Sequence, residues 1–179
     1  IKHVKEILEE FITVNKKMPY TFPIYIPAER ILVSMLSNSI YGLWANNVAL
    51  PNCFKDFAAG YEVAKKEVRQ ISFSDFGFDY SFDNDSEYII LNKSQFLLTQ
   101  ASSGIQSVLP LLIVLEYEIN FSDNNLNKTI LIEEPELNLF PNKQKKLIDY
   151  IIQKVESTDH KLVITTHSPY ILSSIDTLL

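Results

Sequence analysis

Hydrophobic residues along this 179-residue chain recur with two different periods, and the change of period divides it. Val4, Ile7, Leu8, Phe11 and Ile12 fall at helical spacing and predict a helix over residues 3–16. Residues 22–27 read as a short strand bounded by prolines. Residues 28–49 are mostly apolar and read as a helix containing Gly42. A second helix is expected near residues 54–70, with Phe57, Tyr61, Ala64 and Val68 on one face. The period then shortens. Residues 78–82, 87–91 and 95–99 read as a three-strand meander, with turns at 83–86 and 92–94 rich in Asp, Asn and Ser. A long apolar helix should open at 101 and run to about 118. After a polar loop at 122–128 the grammar becomes strand (129–132), helix (141–155), strand (161–165), helix. Ser168 suits the last cap and Pro169 the first helical position. Continuous apolar strands alternating with helices indicate an α/β fold with a parallel sheet.

Composition adds limits. With 46% apolar and 21% charged residues the chain can bury a core. Sixteen Lys and Arg against 22 Asp and Glu leave a net charge of −6, which argues against a broad nucleic-acid-coating surface but leaves room for a local basic patch. Cys53, the one cysteine, rules out a disulfide framework or a cysteine-rich zinc site, and a bland, buried or half-buried thiol is expected. The longest apolar run, residues 108–115, includes Pro110 and is far shorter than the roughly 20 residues of a membrane span. A cytoplasmic setting with no membrane contact is expected.

Three groups stand at the ends of predicted elements, where parallel α/β sheets collect ligands. Glu133 and Glu134 directly follow a buried strand. Such a pair can divide two jobs, one acid facing Mg²⁺ and the other orienting a water for phosphoryl transfer, or can be a pair of solvated loop acids. His167, inside Thr165-Thr166-His167-Ser168-Pro169, can donate to a phosphate oxygen or be a satisfied turn histidine. Ser102-Ser103-Gly104 opens a helix. Its free N–H groups suit an anion, and the same residues suit an ordinary serine cap. Arg30 could reach such a site or nucleic acid, or pair with an acid or cap a loop. Lys143, Lys145 and Lys146 read as a solvated helix face, and Trp44 as core or lobe interface.

The order of these segments resembles a known family. Ser102-Ser103-Gly104-Ile105-Gln106 looks like an ABC-type signature motif. Residues 130–136, Ile-Leu-Ile-Glu-Glu-Pro-Glu, look like Walker B. Leu137-Asn138-Leu139-Phe140-Pro141 sits where the D-loop follows, and Val163–Pro169 looks like a switch-histidine segment. Together with Tyr25-Ile26-Pro27-Ala28-Glu29-Arg30, they resemble the C-terminal lobe of an ABC-type AAA family ATPase of the RecF/SMC and OLD-like group. The firm likeness covers about residues 95–175. It departs at Glu133, where many relatives carry Asp, and in the signature, which reads Ala-Ser-Ser-Gly-Ile-Gln rather than Leu-Ser-Gly-Gly-Gln.

The resemblance implies a P-loop NTPase lobe using ATP and Mg²⁺. Glu134 and His167 would be catalytic, as water-activating and γ-phosphate-sensing residues, and Glu133 would face the metal. Ser102, Ser103, Gly104 and Gln106 would contact nucleotide held by a second subunit of an ATP-dependent homodimer. None of the four glycines belongs to a G-x-x-x-x-G-K-[ST] loop. The chain is therefore expected to be one partial ATPase domain over 1–179, cut from a longer protein whose Walker A lobe lies upstream, and inactive alone. Within it, residues 1–76 form a strand plus helical insertion, 77–100 a β meander, and 101–179 the core bearing the motifs. The parent would hydrolyse ATP in DNA maintenance or phage defence, with DNA or a nuclease as partner. An ATP-gated clamp controlling a nuclease with little hydrolysis is the alternative, and a transporter ATPase subunit is a third.

Overall fold

The structure, a computed structural model, describes residues 22–36, 49–122 and 127–176. The expected helix at 3–16 and residues 37–48 of the helix expected over 28–49, with Gly42 and Trp44, lie outside them. In chain order the elements are β1 (Phe22–Ile26), a 3-10 turn (Ala28–Arg30), α1 (Ile31–Leu36), α2 (Asn52–Val68), β2 (Gln70–Phe73), β3 (Phe78–Asp83), β4 (Ser86–Leu91) and β5 (Ser94–Leu97). A 3-10 turn (Leu98–Gln100), α3 (Ser103–Asn120), β6 (Lys128–Glu133), α4 (Pro141–Glu156), β7 (Lys161–Thr165) and α5 (Pro169–Asp176) follow.

β6 and β7 are the parallel pair expected from their apolar runs, and β1 joins them from far upstream. The order is β1-β6-β7, with Ile26 beside Ile132 and Glu133 beside Thr165. Helices flank this sheet. α3 forms the centre of the core, with residues 108–115 all buried, and packs against α1, α2 and α4. Pro110 lies inside α3. Proline lacks the N–H that would serve the carbonyl of Gln106 one turn back. The Ser34 hydroxyl of α1 takes that carbonyl instead.

The meander has four strands, ordered β2-β3-β4-β5 and all antiparallel, rather than three. The helix expected to run to residue 70 stops at Val68, because Arg69 turns at φ +42° and releases Gln70–Phe73 into β2. Asn84-Asp85 and Asn92-Lys93 all have positive φ, as tight two-residue hairpins require. The last expected strand ends at Leu97; Leu98–Gln100 coils into a 3-10 turn, held by the Gln106 side chain.

Two buried polar clusters seat the second sheet and α4. Glu87 of β4 accepts from Tyr61 of α2 and from Tyr80 of β3, and its other oxygen lies 3.8 Å from Lys65. Burial holds Glu87 above the ordinary carboxylate range despite those donors and that cation. Glu116 of α3 binds Tyr150 and Lys154 of α4. Phe73 and Phe76 meet the Tyr150 ring edge-on. Lys143 and Lys146 reach back to the carbonyls of Phe76 and Asp75, so two of the three lysines expected to be solvated help to seat the meander. Cys53 is exposed, correcting the buried or half-buried expectation: it lies in the first turn of α2 and lines an open cavity with Asp56, Phe57 and Gly60 of the same helix. Among the described residues, no helix is long and apolar enough to cross a membrane.

Candidate functional site

Because β1, β6 and β7 run parallel, their carboxyl ends open on one edge, and the candidate acids and histidine gather there. Glu133 closes β6. Glu134 follows with φ +39°, an uncommon conformation for a residue with a Cβ, and it swings the chain out of the strand. Its N–H still donates to Thr165 O at 2.9 Å, which extends the β6–β7 ladder by one residue. Its carboxylate stands 3.5 Å from Nε2 of His167. The two groups expected to share one chemical task thus meet across adjacent strand ends. The His167 side chain is 89% exposed and that of Glu134 32%, so both face open space.

The turn beneath Glu134 is held by Arg30. Its Nε donates to Ser107 O, one Nη to the carbonyls of Pro27 and Glu133, and the other to those of Glu134 and Pro135, all at 2.8–3.1 Å. A guanidinium has five N–H groups, and all five are used. Arg30 is fully buried, and desolvation pushes its pKa down to about 10. Of the expectations for Arg30, the loop cap is what the structure builds. Its hydrogen bonds go to carbonyls rather than to an acid, and its burial takes it away from nucleic acid. The physical reason is local: a chain leaving a strand at positive φ turns its carbonyls from the ladder, and buried carbonyls need donors.

A second tie comes from Glu136, which sequence reasoning left without a role. One of its oxygens accepts from Thr166 Oγ1 at 2.7 Å, His167 N at 2.9 Å and Ser168 N at 3.1 Å. Ser168 Oγ donates to Gln144 Oε1 at 2.6 Å, and Gln144 Nε2 donates to Leu139 O at 2.9 Å. The available signal was a third carboxylate closely following a buried strand, in a segment too apolar to leave it solvated.

Glu133 lies partly buried beside Tyr25 of β1, whose hydroxyl is held above its ordinary pKa by burial and then by its hydrogen bond to Glu133. Among the described residues, no group of three or more His, Cys, Asp or Glu could hold a metal ion. Mg²⁺ takes one or two carboxylates and otherwise relies on water and phosphate oxygens. The oxygen donors at Glu133 and Glu134 fit that manner of binding.

Ser102 caps α3, its hydroxyl accepting from Ile105 N at 3.5 Å, and Ser102 and Ser103 are exposed. Gly104 packs so closely on the turn after Glu134 that a Cβ there would sit 3.1 Å from Asn138 O and 3.5 Å from Leu139 Cδ2. Beside these residues lies a pocket of about 250 Å³ floored by Phe76, Phe78 and Val108 and rimmed by Phe140, which is 81% exposed. Gln106 stands apart from the three. It is buried, and its amide nitrogen donates to the carbonyls of Leu98, Thr99 and Ala101, so the side chain braces the loop before α3 from inside. The structure therefore gathers Glu133, Glu134 and His167 at the sheet edge, seats Ser102, Ser103 and Gly104 against the same turn, and turns Gln106 inward.

The sequence pattern of the AAA ATPase domain family matches residues 4–172. Among curated proteins, none matches at a significant level. A three-stranded parallel sheet flanked by helices, with paired acids at a strand end and a family match over nearly the whole chain, places this protein among nucleotide-hydrolysing modules of α/β P-loop NTPase type: the chain belongs to the AAA ATPase domain family.

Proposed function

We propose that this chain supplies the hydrolytic lobe of an ABC-type ATPase of the RecF/SMC and OLD-like group. The observation that carries the reading is the 3.5 Å approach of Glu134 to His167 across adjacent parallel strand ends. Glu134 orients the attacking water and draws off its proton. His167 reads the terminal phosphate through its exposed imidazole. Glu133 helps to hold Mg²⁺, which when bound neutralises charge on the phosphates. The phosphate cradle comes from a Walker A lobe outside this sequence, since no G-x-x-x-x-G-K-[ST] segment occurs in it. Ser102, Ser103 and Gly104 present N–H groups to nucleotide held by a second subunit, and ATP draws two copies together. The output is DNA maintenance or phage defence, with DNA or a nuclease as partner.

Glu134→Gln in the full-length protein tests this. Loss of a positioned general base lowers turnover by roughly 100-fold or more. Wild-type turnover in that variant rejects the assignment. By itself the chain should turn over negligible ATP, and micromolar binding, about −8 kcal/mol, would reject the divided site. The alternative, an ATP-gated clamp with little hydrolysis, shares this ATP-dependent association. ATP-dependent dimerisation without measurable turnover would select the clamp.

A further inference from the structure

Among the described residues, no hydrogen bond holds the His167 imidazole itself. Glu134 approaches its Nε2 to 3.5 Å, and the His167 side chain is 89% exposed. An exposed ring is aimed by its backbone, and the backbone is where this loop is fixed. A single oxygen of Glu136 collects Thr166 Oγ1, His167 N and Ser168 N, one donor from each of three consecutive residues. Thr166 Oγ1 also accepts from Ser168 N at 3.0 Å, which closes the loop on itself. Glu136 is only 9% exposed, and its other oxygen is buried with no hydrogen-bond partner among the described residues. It is anchored as well as anchoring. Pro135, its neighbour, has its carbonyl held by Arg30, and Gln144 ties Ser168 back to Leu139. The loop after β6, which carries Glu134, and the loop after β7, which carries His167, are thus joined by one carboxylate rather than by their reactive side chains.

We propose that Glu136 is a positioning residue for ATP hydrolysis: it sets the backbone of Thr166–Ser168 so that His167 faces the same reacting centre as Glu134. This rests on the hydrolytic roles proposed above for Glu134 and His167. It adds that an acceptor oxygen at this reach is what position 136 must supply to the loop after β7. The working oxygen already serves three donors, and the second oxygen serves none.

Three variants of the ATP-hydrolysing protein that carries this domain separate the possibilities, with Glu134→Gln as reference. Glu136→Gln keeps an acceptor oxygen at the same reach, and its turnover number should stay within about threefold of wild type. Glu136→Ala removes the acceptor and Glu136→Asp withdraws it by one methylene. Both should lower the turnover number by about ten- to a hundredfold, the scale of an ångström-sized misplacement, with KM for ATP little changed. The His167 amide proton resonance should move upfield in Ala and Asp and hold its place in Gln. If Ala does not fold, Asp and Gln decide alone. The proposal is overturned if Asp matches wild type, or if Gln loses as much as Asp. If Glu134→Gln hydrolyses ATP normally, the hydrolytic reading itself fails. If that variant is inactive while Glu136→Asp is normal, only the role of Glu136 fails.

Discussion

The hydroxyl of Ser34 donates a 2.7 Å hydrogen bond to the carbonyl of Gln106, the group that Pro110 leaves without its helical donor. Both partners are buried, so the carbonyl has no access to water. Ser34→Ala should therefore cost about 1–3 kcal/mol, the range for an unsatisfied buried polar group. In a Pro110→Ala background the restored N–H can serve the carbonyl, and the same change should cost about 1 kcal/mol less. Urea unfolding of the four proteins in this cycle measures the coupling. Equal losses in both backgrounds would show that Ser34 does not repair the proline gap.

Arg30→Lys should behave as a severe change. Lysine brings a single ammonium with three donors, where five carbonyls from three separate segments wait. At least two buried carbonyls then go unserved, at about 1–3 kcal/mol each. A loss of 2 kcal/mol or more by denaturant melting is expected, together with loss of ATP turnover. A lysine variant within 0.5 kcal/mol of wild type, on the scale of ordinary surface substitutions, would mean the carbonyls are served some other way.

Gly104→Ala should separate activity from stability. The new Cβ would stand 3.1 Å from Asn138 O, so that carbonyl must move by a few tenths of an ångström. Alanine's better helix propensity, up to about 1 kcal/mol, offsets the crowding in the stability balance. The melting temperature should barely change, while turnover falls about tenfold as the turn after Glu134 shifts. Full activity would show that the closeness of α3 to this turn is not needed for function.

Glu87 predicts a pH dependence of stability. Its pKa is raised in the folded chain above its ordinary value of 4.5, so folding favours the protonated form. The stability this group lends is complete below pH 4.5 and declines as pH rises through the folded value. Glu87→Gln keeps an acceptor for Tyr61 and Tyr80 and removes the titration. The variant should therefore gain stability relative to wild type between mildly acidic and neutral pH. Parallel unfolding curves at every pH in that range would count against this account.

Most of the α/β half was legible because its strands are continuous apolar runs between polar loops, and periodicity reads such runs well. β2 was not, since Gln70-Ile71-Ser72-Phe73 follows a helix without glycine or proline, and the break comes from the positive φ of Arg69. The end of β5 was hidden for a related reason: Leu98–Gln100 curls because Gln106 supplies donors from the following helix, which local sequence does not announce. In the site, Glu133, Glu134 and His167 were readable from their places at strand ends. For Arg30 a loop cap was among the expectations but its acceptors were not foreseen, and Glu136 was given no role, since each works through backbone groups dozens of residues away.

The acceptors of Arg30 also bear on how the chain reaches its fold. Ser107 lies 77 residues from it and Glu133–Pro135 lie 103 to 105 residues away. A partly folded intermediate that buried β1 without α3 and the end of β6 would strand a positive charge in an apolar interior. Such intermediates are disfavoured, which favours the docking of these three distant stretches together over the burial of β1 alone. The same guanidinium that braces the turn after β6 thereby couples the assembly of these stretches.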